Sequence, residues 1–180
     1  MTSKAPSKEQ QAQPFYAAIG RAITNWQLIE DVVEMLFADL MSPTNVSSKI
    51  SAQAAYYSVI GFRARLALVD AAAMMQWRGA RFKKWRALKK NIESNTESRN
   101  HLAHFSLHEL SSTDGKLHLC LRHTLFDVRY VPYINPPKLA PPDYRHKDIV
   151  ETGEAFLRLY REIVSFGIET DAVSPPPEAP

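Results

Sequence analysis

The chain has 180 residues, of which 45% are hydrophobic, 10% aromatic and 23% charged, a balance typical of one globular domain. Its single cysteine, Cys120, excludes an internal disulfide, and the N-terminus lacks the pattern of a secretory signal, so we expect a cytoplasmic protein. No apolar run approaches the roughly 18 residues that span a bilayer, and no glycine-rich phosphate-binding loop occurs. We therefore expect no membrane insertion and no cofactor.

The positive charge of the chain is concentrated in its middle third. The formal net charge is only +3, yet residues 41–100 contain eleven lysines and arginines against three acidic residues. Seven of these cations lie between Arg78 and Lys90 with no acid among them. A polyanion such as RNA is a fitting partner for this segment, and the alternative is an ordinary solvated helix face. The candidate RNA-binding residues are Arg81, Lys83, Lys84, Arg86, Lys89 and Lys90.

Apolar residues at steps of three and four predict three helices in the first part of the chain. Residues 1–13 are polar and are expected to form a disordered tail. Pro14 fits the first turn of the helix that follows, and Gly61 is expected to kink the second helix. The three helices are expected over residues 14–40, 52–77 and 80–104.

After the third helix the apolar period changes to two. Leucines alternate with polar residues over 117–121, after Asp114 and Gly115, which form a common hairpin-turn pair. Residues 105–110 are the expected partner strand, so a small hairpin follows the third helix. Prolines then exclude helix and central strand up to about residue 145.

A last helix is predicted over residues 146–169, before a disordered proline-rich tail at 170–180. The apolar residues expected to face the other helices are Val150, Phe156, Leu157, Tyr160, Ile163 and Val164. The fold class is therefore all-α, with four helices and a β-hairpin insertion after the third. One helical domain is expected over residues 14–169.

Two charged residues share the apolar side of their helices. An ideal helix advances about 100° per residue, which places Glu30 about 40° from Trp26 and Arg99 about 20° from Leu88. A buried charge without a partner costs several kcal/mol. We therefore expect Glu30 and Arg99 to meet, or Arg99 to open into a cleft that holds an anion. The alternative is that the third helix bends or ends early and leaves Arg99 exposed.

The other side of the third helix carries the polar residues Glu93, Glu97, Asn100, His101 and His104. This strip is either solvated surface or part of a site for phosphodiester chemistry. An imidazole such as His104 can take or give a proton, the Arg99 fork can grip phosphate oxygens, and Asn100 can orient either. Because Arg99 and His104 point about 140° apart, they meet only if the helix end unwinds or a second subunit contributes.

The stretch from Arg99 to His104, RNHLAH, resembles the R-polar-x-x-x-H signature of the HEPN superfamily (higher eukaryotes and prokaryotes nucleotide-binding). Trp26 and Glu30 also resemble the WxxxE feature of small bacterial HEPN-like proteins. The similarity covers about residues 15–105 and the last helix. It implies an antiparallel four-helix bundle that forms a homodimer.

The resemblance further implies a metal-independent endoribonuclease that cleaves RNA by attack of the ribose 2'-hydroxyl. The dimer would bring two copies of Arg99 and His104 into one cleft, where Arg99 stabilises the phosphate and His104 is general acid or base. Asn100 would position these groups, and Glu30 would hold Arg99. The supporting residues are Glu30, Glu97 and His101. Such a bacterial toxin or phage-defence effector could have a neutralising antitoxin or nucleotidyltransferase partner, and the alternative is a noncatalytic HEPN-like module that binds RNA or a protein.

Other chemistries are less well supported by the sequence. A metal site is conceivable from His101, His104, His108, His118 and His123, but the usual zinc motifs are absent. Cys120 lies in a predicted strand, which does not favour a nucleophile. We expect the group Met74, Met75 and Trp77 in the core or a dimer interface. Tyr56 and Tyr57 could stack on bases, but packing in the bundle is expected for at least one of them.

Overall fold

A computed structural model describes residues 7–111, 117–122 and 143–171 of the chain. The elements are α1 (Lys8–Met41), α2 (Val46–Ser58), α3 (Phe62–Gln76), α4 (Gly79–His104), β1 (Ser106–Ser111), β2 (Leu117–Arg122) and α5 (His146–Asp171). The chain is mostly helical with a small hairpin after α4, as predicted. None of the helices that the structure describes is long and apolar enough to cross a membrane. The predicted turn at Asp114 and Gly115 and the proline-rich stretch at 123–142 lie outside the described residues.

Helix α1 begins at Lys8, six residues before the predicted start. The backbone N–H of Ser7 donates to Oε1 of Gln10 at 2.8 Å, and the N–H of Gln10 donates to Oγ of Ser7 at 3.2 Å. This reciprocal pair is a capping box, which satisfies N–H groups that the first helical turn leaves without partners. Pro14 therefore lies inside the helix, where it lacks the N–H that would reach the carbonyl of Gln10.

The predicted second helix is two helices, so the described residues form five helices where four are predicted. Asn45 caps α2 by accepting from the N–H of Ser48 at 3.1 Å, which starts this helix six residues earlier than predicted. Gly61 has φ +84°, a left-handed conformation that ends the helical path between α2 and α3. The expected kink at Gly61 is thus a complete break.

Strands β1 and β2 pair antiparallel, which confirms the predicted hairpin. Leu107 lies opposite Leu121 and His108 lies opposite Cys120. Leu121 of β2 also exchanges two backbone hydrogen bonds of 2.8 Å with Tyr144, which lies just before α5. The segment before α5 is thereby fixed to the hairpin.

The chain divides into two compact units, and the boundaries fall inside α1, α4 and α5. The first unit contains residues Met1–Thr24 and Thr96–Ala155, and the second contains Asn25–Asn95 and Phe156–Pro180. Each is described by itself below, and the single domain predicted over residues 14–169 stays a prediction.

The first unit packs the start of α1 against the start of α5. The Phe15 ring meets the His146 ring edge-on, with centroids 5.4 Å apart. At Gly153 the two helices approach so closely that a Cβ there would lie 3.2 Å from Cβ of Ala22. Glycine therefore sets the distance between the two helices at this point.

Aromatic rings form the core of the second unit. Trp26 packs edge-on against Phe156, with ring centroids 5.1 Å apart. Phe166 packs in the same way against Trp77 at 5.0 Å, and Trp77 against Trp85 at 5.7 Å. Rings of this size bury large apolar areas, and edge-to-face pairs add to that stabilisation.

The buried side of α5 differs partly from the predicted one. The buried residues are Ile149, Phe156, Leu159, Ile163 and Phe166. Val150, Leu157, Tyr160 and Val164, which were expected to face the other helices, are only half-buried. The helix carries apolar residues on two neighbouring sides, and periodicity alone does not show which side the core uses.

Candidate functional site

The predicted catalytic residues lie at the end of α4, which is a regular helix up to its last residue. The N–H of Phe105 still donates to the carbonyl of His101 at 2.9 Å, which completes the last helical turn. The helix end therefore does not unwind, and Arg99 and His104 stay about 140° apart around the axis. Unwinding of the helix end, the first of the two predicted ways to bring them together, does not occur in this structure.

Arg99 and Asn100 contact each other at this helix end. Nη1 of Arg99 donates to Oδ1 of Asn100 at 3.3 Å, and Nε of Arg99 is buried. His104, four residues after Asn100, is exposed. Around the helix Asn100 lies between the other two, about 100° from Arg99 and about 40° from His104. Asn100 therefore connects the arginine to the side of α4 that carries the imidazole.

His101 is a packed side chain, which corrects its predicted place on a polar strip. Only 12% of the side chain is exposed, and its ring stacks on Phe105 with centroids 4.6 Å apart. Its Nδ1 lies 2.9 Å from the hydroxyl oxygen of Tyr144, and its Nε2 lies 3.8 Å from Oε1 of Glu97. Glu97 itself is exposed, so of this pair only Glu97 lies in solvent. The segment before α5, which sequence periodicity did not place, supplies the ring that covers His101.

Burial shifts the pKa values of both His101 and Tyr144. It lowers the pKa of His101, against an opposing effect of the Glu97 carboxylate. It also raises the pKa of Tyr144, whose phenol is protonated at neutral pH and can donate a hydrogen bond. A neutral imidazole with its proton on Nε2, facing Glu97, and its lone pair on Nδ1, facing Tyr144, satisfies both contacts. His101 therefore fastens the end of α4 to the segment before α5.

Glu30, a predicted supporting residue, is held by two groups of its own unit. It accepts a hydrogen bond from Nε1 of Trp26 at 2.7 Å, and the spacing of four residues in WxxxE is what brings the two together. Its Oε2 lies 4.0 Å from Nη1 of Arg65, and its side chain is 15% exposed. Arg65 also donates through Nε to the carbonyl of Val59 at 2.9 Å. The carboxylate is thus partly buried but not isolated.

Arg65 was not predicted as a site residue, although the sequence carries a signal for it. It follows Phe62 by three residues and precedes Val69 by four, so it shares the apolar side of α3. The helix phase that singles out Glu30 would have singled out Arg65 as well. The predicted contact of Glu30 with Arg99 joins residues of different units and stays a prediction.

Four of the six predicted RNA-binding residues are exposed on α4: Lys83, Lys84, Arg86 and Lys90. Lys83, Arg86 and Lys90, called the basic strip below, lie within about 60° of one another around the helix and span about 10 Å along it. Lys84 points elsewhere and forms an exposed ion pair with Glu169, with Nζ and Oε2 2.9 Å apart. The basic strip is therefore the part of the predicted surface that faces solvent together.

Arg81 and Lys89, the two predicted RNA-binding residues that are only half-exposed, contact side chains of their own unit. The Arg81 guanidinium lies 4.8 Å from the ring centroid of Trp77, a cation–π contact. Nζ of Lys89 lies 2.7 Å from Oδ2 of Asp70, with side chains only 18% and 19% exposed, and Trp85 donates to Oδ1 at 2.9 Å. Burial opposes ionisation of Asp70, but the Lys89 and Trp85 donors outweigh it and hold the pKa of Asp70 below its usual range.

The alternative chemistries find little support in the described residues. No group of three or more His, Cys, Asp or Glu side chains there could hold a metal ion, and His123 lies outside them. Cys120 is buried, and burial raises the pKa of its thiol, which disfavours the nucleophilic thiolate.

The remaining aromatic and methionine candidates are divided between core and surface. Trp77 is buried, whereas Met74 and Met75 are 55% and 70% exposed, so neither methionine is in the core. Tyr56 is buried and Tyr57 is 51% exposed, which agrees with packing for one of the pair.

Comparison with known protein families finds no match. Comparison with curated proteins and with solved structures finds none either. The resemblance to the HEPN superfamily therefore rests on the residues of α1 and α4 alone.

Proposed function

We propose that the chain is a metal-independent endoribonuclease of the HEPN kind, whose site is completed by a second copy of the chain. The observation that carries the proposal is the end of α4, where Asn100 lies between the hydrogen-bonded Arg99 and the exposed His104. A guanidinium, an amide and a titratable imidazole suffice for RNA phosphodiester cleavage. The proposal includes the predicted four-helix bundle, in which α2 and α3 together would correspond to the second helix.

The substrate supplies its own nucleophile. The ribose 2'-oxygen attacks the adjacent phosphorus, the bond from phosphorus to the 5'-oxygen breaks, and the products end in a 2',3'-cyclic phosphate and a 5'-hydroxyl. One group must accept the proton of the 2'-hydroxyl, and another must donate a proton to the leaving 5'-oxygen. Arg99 stabilises the negative charge that develops on the other phosphate oxygens.

Two copies of His104 provide the acid and the base at once. One imidazole cannot donate and accept a proton in the same step, whereas a neutral copy and a protonated copy together can. A two-fold axis through the site would bring these copies together and would also supply two copies of Arg99. This arrangement needs no unwinding of α4.

Cleavage of a labelled single-stranded RNA in the presence of EDTA tests the proposal. His104→Gln should reduce cleavage at least about 100-fold. Its RNA affinity and melting temperature should stay unchanged, because the side chain is exposed. Ser94→Ala, at another exposed position of α4, should cleave like the wild type. Equal cleavage by wild type and His104→Gln, products with a 3'-hydroxyl, or an active monomer in sedimentation equilibrium would contradict the proposal.

The basic strip favours a second candidate, an RNA-binding module without cleavage. Three phosphate contacts to a single strand predict that the logarithm of the affinity falls with the logarithm of salt concentration with a slope of about −2. Lys90→Ala should reduce the magnitude of this slope by about 0.7. Lys147→Ala removes a lysine that is 83% exposed on α5 and should leave the slope unchanged. Salt-dependent binding with no cleavage by any variant would favour the binding module over the nuclease.

A further inference from the structure

An apolar groove separate from the proposed nuclease site lies within the second unit, between α1 and α5. Its walls are residues 28–39 of α1 and residues 160–168 of α5, and its volume is about 310 Å³. Met35 and Ile168 stand at the groove with 55% and 66% of their surfaces exposed. We call it the α1–α5 groove.

The second apolar side of α5 produces this groove. Phe156 and Ile163 fill the core, while Tyr160, Val164 and Ile168 follow one another at steps of four and line the groove. A helix in a globular unit normally hides its apolar side, and an open apolar surface of this kind marks a site of interaction.

The described lining of the groove carries negative charge and no positive charge, in contrast to the net charge of +3 of the whole chain. Asp31 and Asp39 border the groove, and Asp39 pairs with Lys49 of α2. Nearby, Glu34 is buried, and burial together with the charges of the two aspartates raises its pKa.

We propose that the α1–α5 groove binds an amphipathic helix of another protein, one that carries lysines or arginines beside its apolar side chains. Apolar side chains would fill the groove, and the cations would meet the carboxylates of Asp31 and Asp39 at its border. The α1 wall is about 16 Å long, which corresponds to three helical turns. Apolar residues at steps of three and four over about eleven positions would reach the whole groove.

A second copy of the chain fits this groove less well. If the same face of two copies met, acidic residues would lie opposite acidic residues. The basic side of α4 could not fill the groove of a second copy with large apolar side chains, because Trp85, Leu88 and Ile92 are buried in the core. The charge of the walls therefore favours a basic helix from a different chain.

Fluorescence anisotropy with a synthetic 18-residue helical peptide, leucine at steps of three and four with lysine beside them, tests the proposal on the full chain. We expect a dissociation constant on the order of 10 μM. Combining Met35→Ser with Ile168→Ser should weaken binding about tenfold or more, without loss of stability because both side chains are exposed. A peptide with glutamate in place of lysine should bind at least about tenfold more weakly.

Met74→Ser combined with Met75→Ser removes similar exposed apolar groups from α3 and is the matched control. This variant should bind the lysine peptide within about twofold of wild type. Absent binding, equal weakening by both pairs of substitutions, or equal affinity for both peptides would overturn the proposal. So would a dimer that only the Met35 and Ile168 substitutions dissociate, because a second copy would then occupy the groove. Cleavage of RNA is not measured in these experiments, so their failure is distinct from failure of the nuclease proposal.

Discussion

Lys89 and Lys90 are adjacent in sequence, but Lys89 forms a partly buried ion pair with Asp70 whereas Lys90 is exposed. Replacing each with methionine should therefore change the stability of the fold by different amounts. Methionine keeps most of the apolar stem and removes the ammonium. At the observed 2.7 Å from Asp70, the attraction is about 6 kcal/mol at an effective dielectric constant of 20. Removal of both groups from water offsets much of it, so Lys89→Met should lower the free energy of unfolding by about 2–3 kcal/mol. Lys90 is exposed, so Lys90→Met should change the free energy of unfolding by less than about 0.5 kcal/mol.

Urea and thermal unfolding, followed by circular dichroism, measure both effects. The melting temperature of Lys89→Met should fall by about 4–12 °C. Adding Asp70→Asn should restore part of the loss, because the double variant no longer buries an unpaired carboxylate. The pKa of Asp70 lies below its usual 3.8, so the pair stabilises fully above that pH and the contribution is lost as pH falls through the folded-state pKa. The melting temperatures of Lys89→Met and Lys90→Met should therefore converge in acid. Equal melting temperatures of the two variants at neutral pH would refute the stabilising role of the ion pair.

Two further predictions concern the first unit. Gly20 has open space where a Cβ would be, so Gly20→Ala should raise the free energy of unfolding by about 1 kcal/mol, whereas Gly153→Leu should lower it by about 2–3 kcal/mol through crowding against Ala22. Urea unfolding measures both, and a shift in the same direction would contradict the packing. Burial lowers the pKa of His101, so the folded state favours the neutral imidazole. The stabilisation that the neutral imidazole contributes is fully present above the usual pKa of 6.5 and is lost as pH falls through the folded-state pKa. Wild type should therefore lose more melting temperature between about pH 7 and pH 5 than His101→Phe, and an equal loss would exclude His101 as the cause.

Periodicity and turn residues sufficed to predict α4, the hairpin and α5. The apolar period changes from 3.6 to two at the end of α4, where the predicted end at His104 is confirmed, and the prolines before residue 146 mark the start of α5. The start of α1 was missed because its signal is polar: Ser7 and Gln10 form the capping box within a segment that otherwise has the composition of a disordered tail. The break at Gly61 has one local signal, and glycine is equally compatible with a kink and with a complete end.

The candidate site was predictable only where one helix determines it. The angle between Arg99 and His104 follows from helix geometry, and the regular end of α4 keeps it. The environments of Lys89 and His101 depend on Asp70 and Tyr144, which are distant in sequence. A charge pattern on one helix cannot show which lysine meets a carboxylate of another helix, so Lys89 and Lys90 received the same prediction.

The burial of Cys120 makes the hairpin accessible to a chemical measurement. The side chain is 1% exposed and its thiol pKa is raised, so maleimide or disulfide reagents reach the sulfur only when β2 opens. As it is the only cysteine of the chain, its labelling rate reports on that local opening without interference from other thiols. A cysteine introduced on the surface would react first, which permits attachment of a fluorophore or spin label without removal of the native residue.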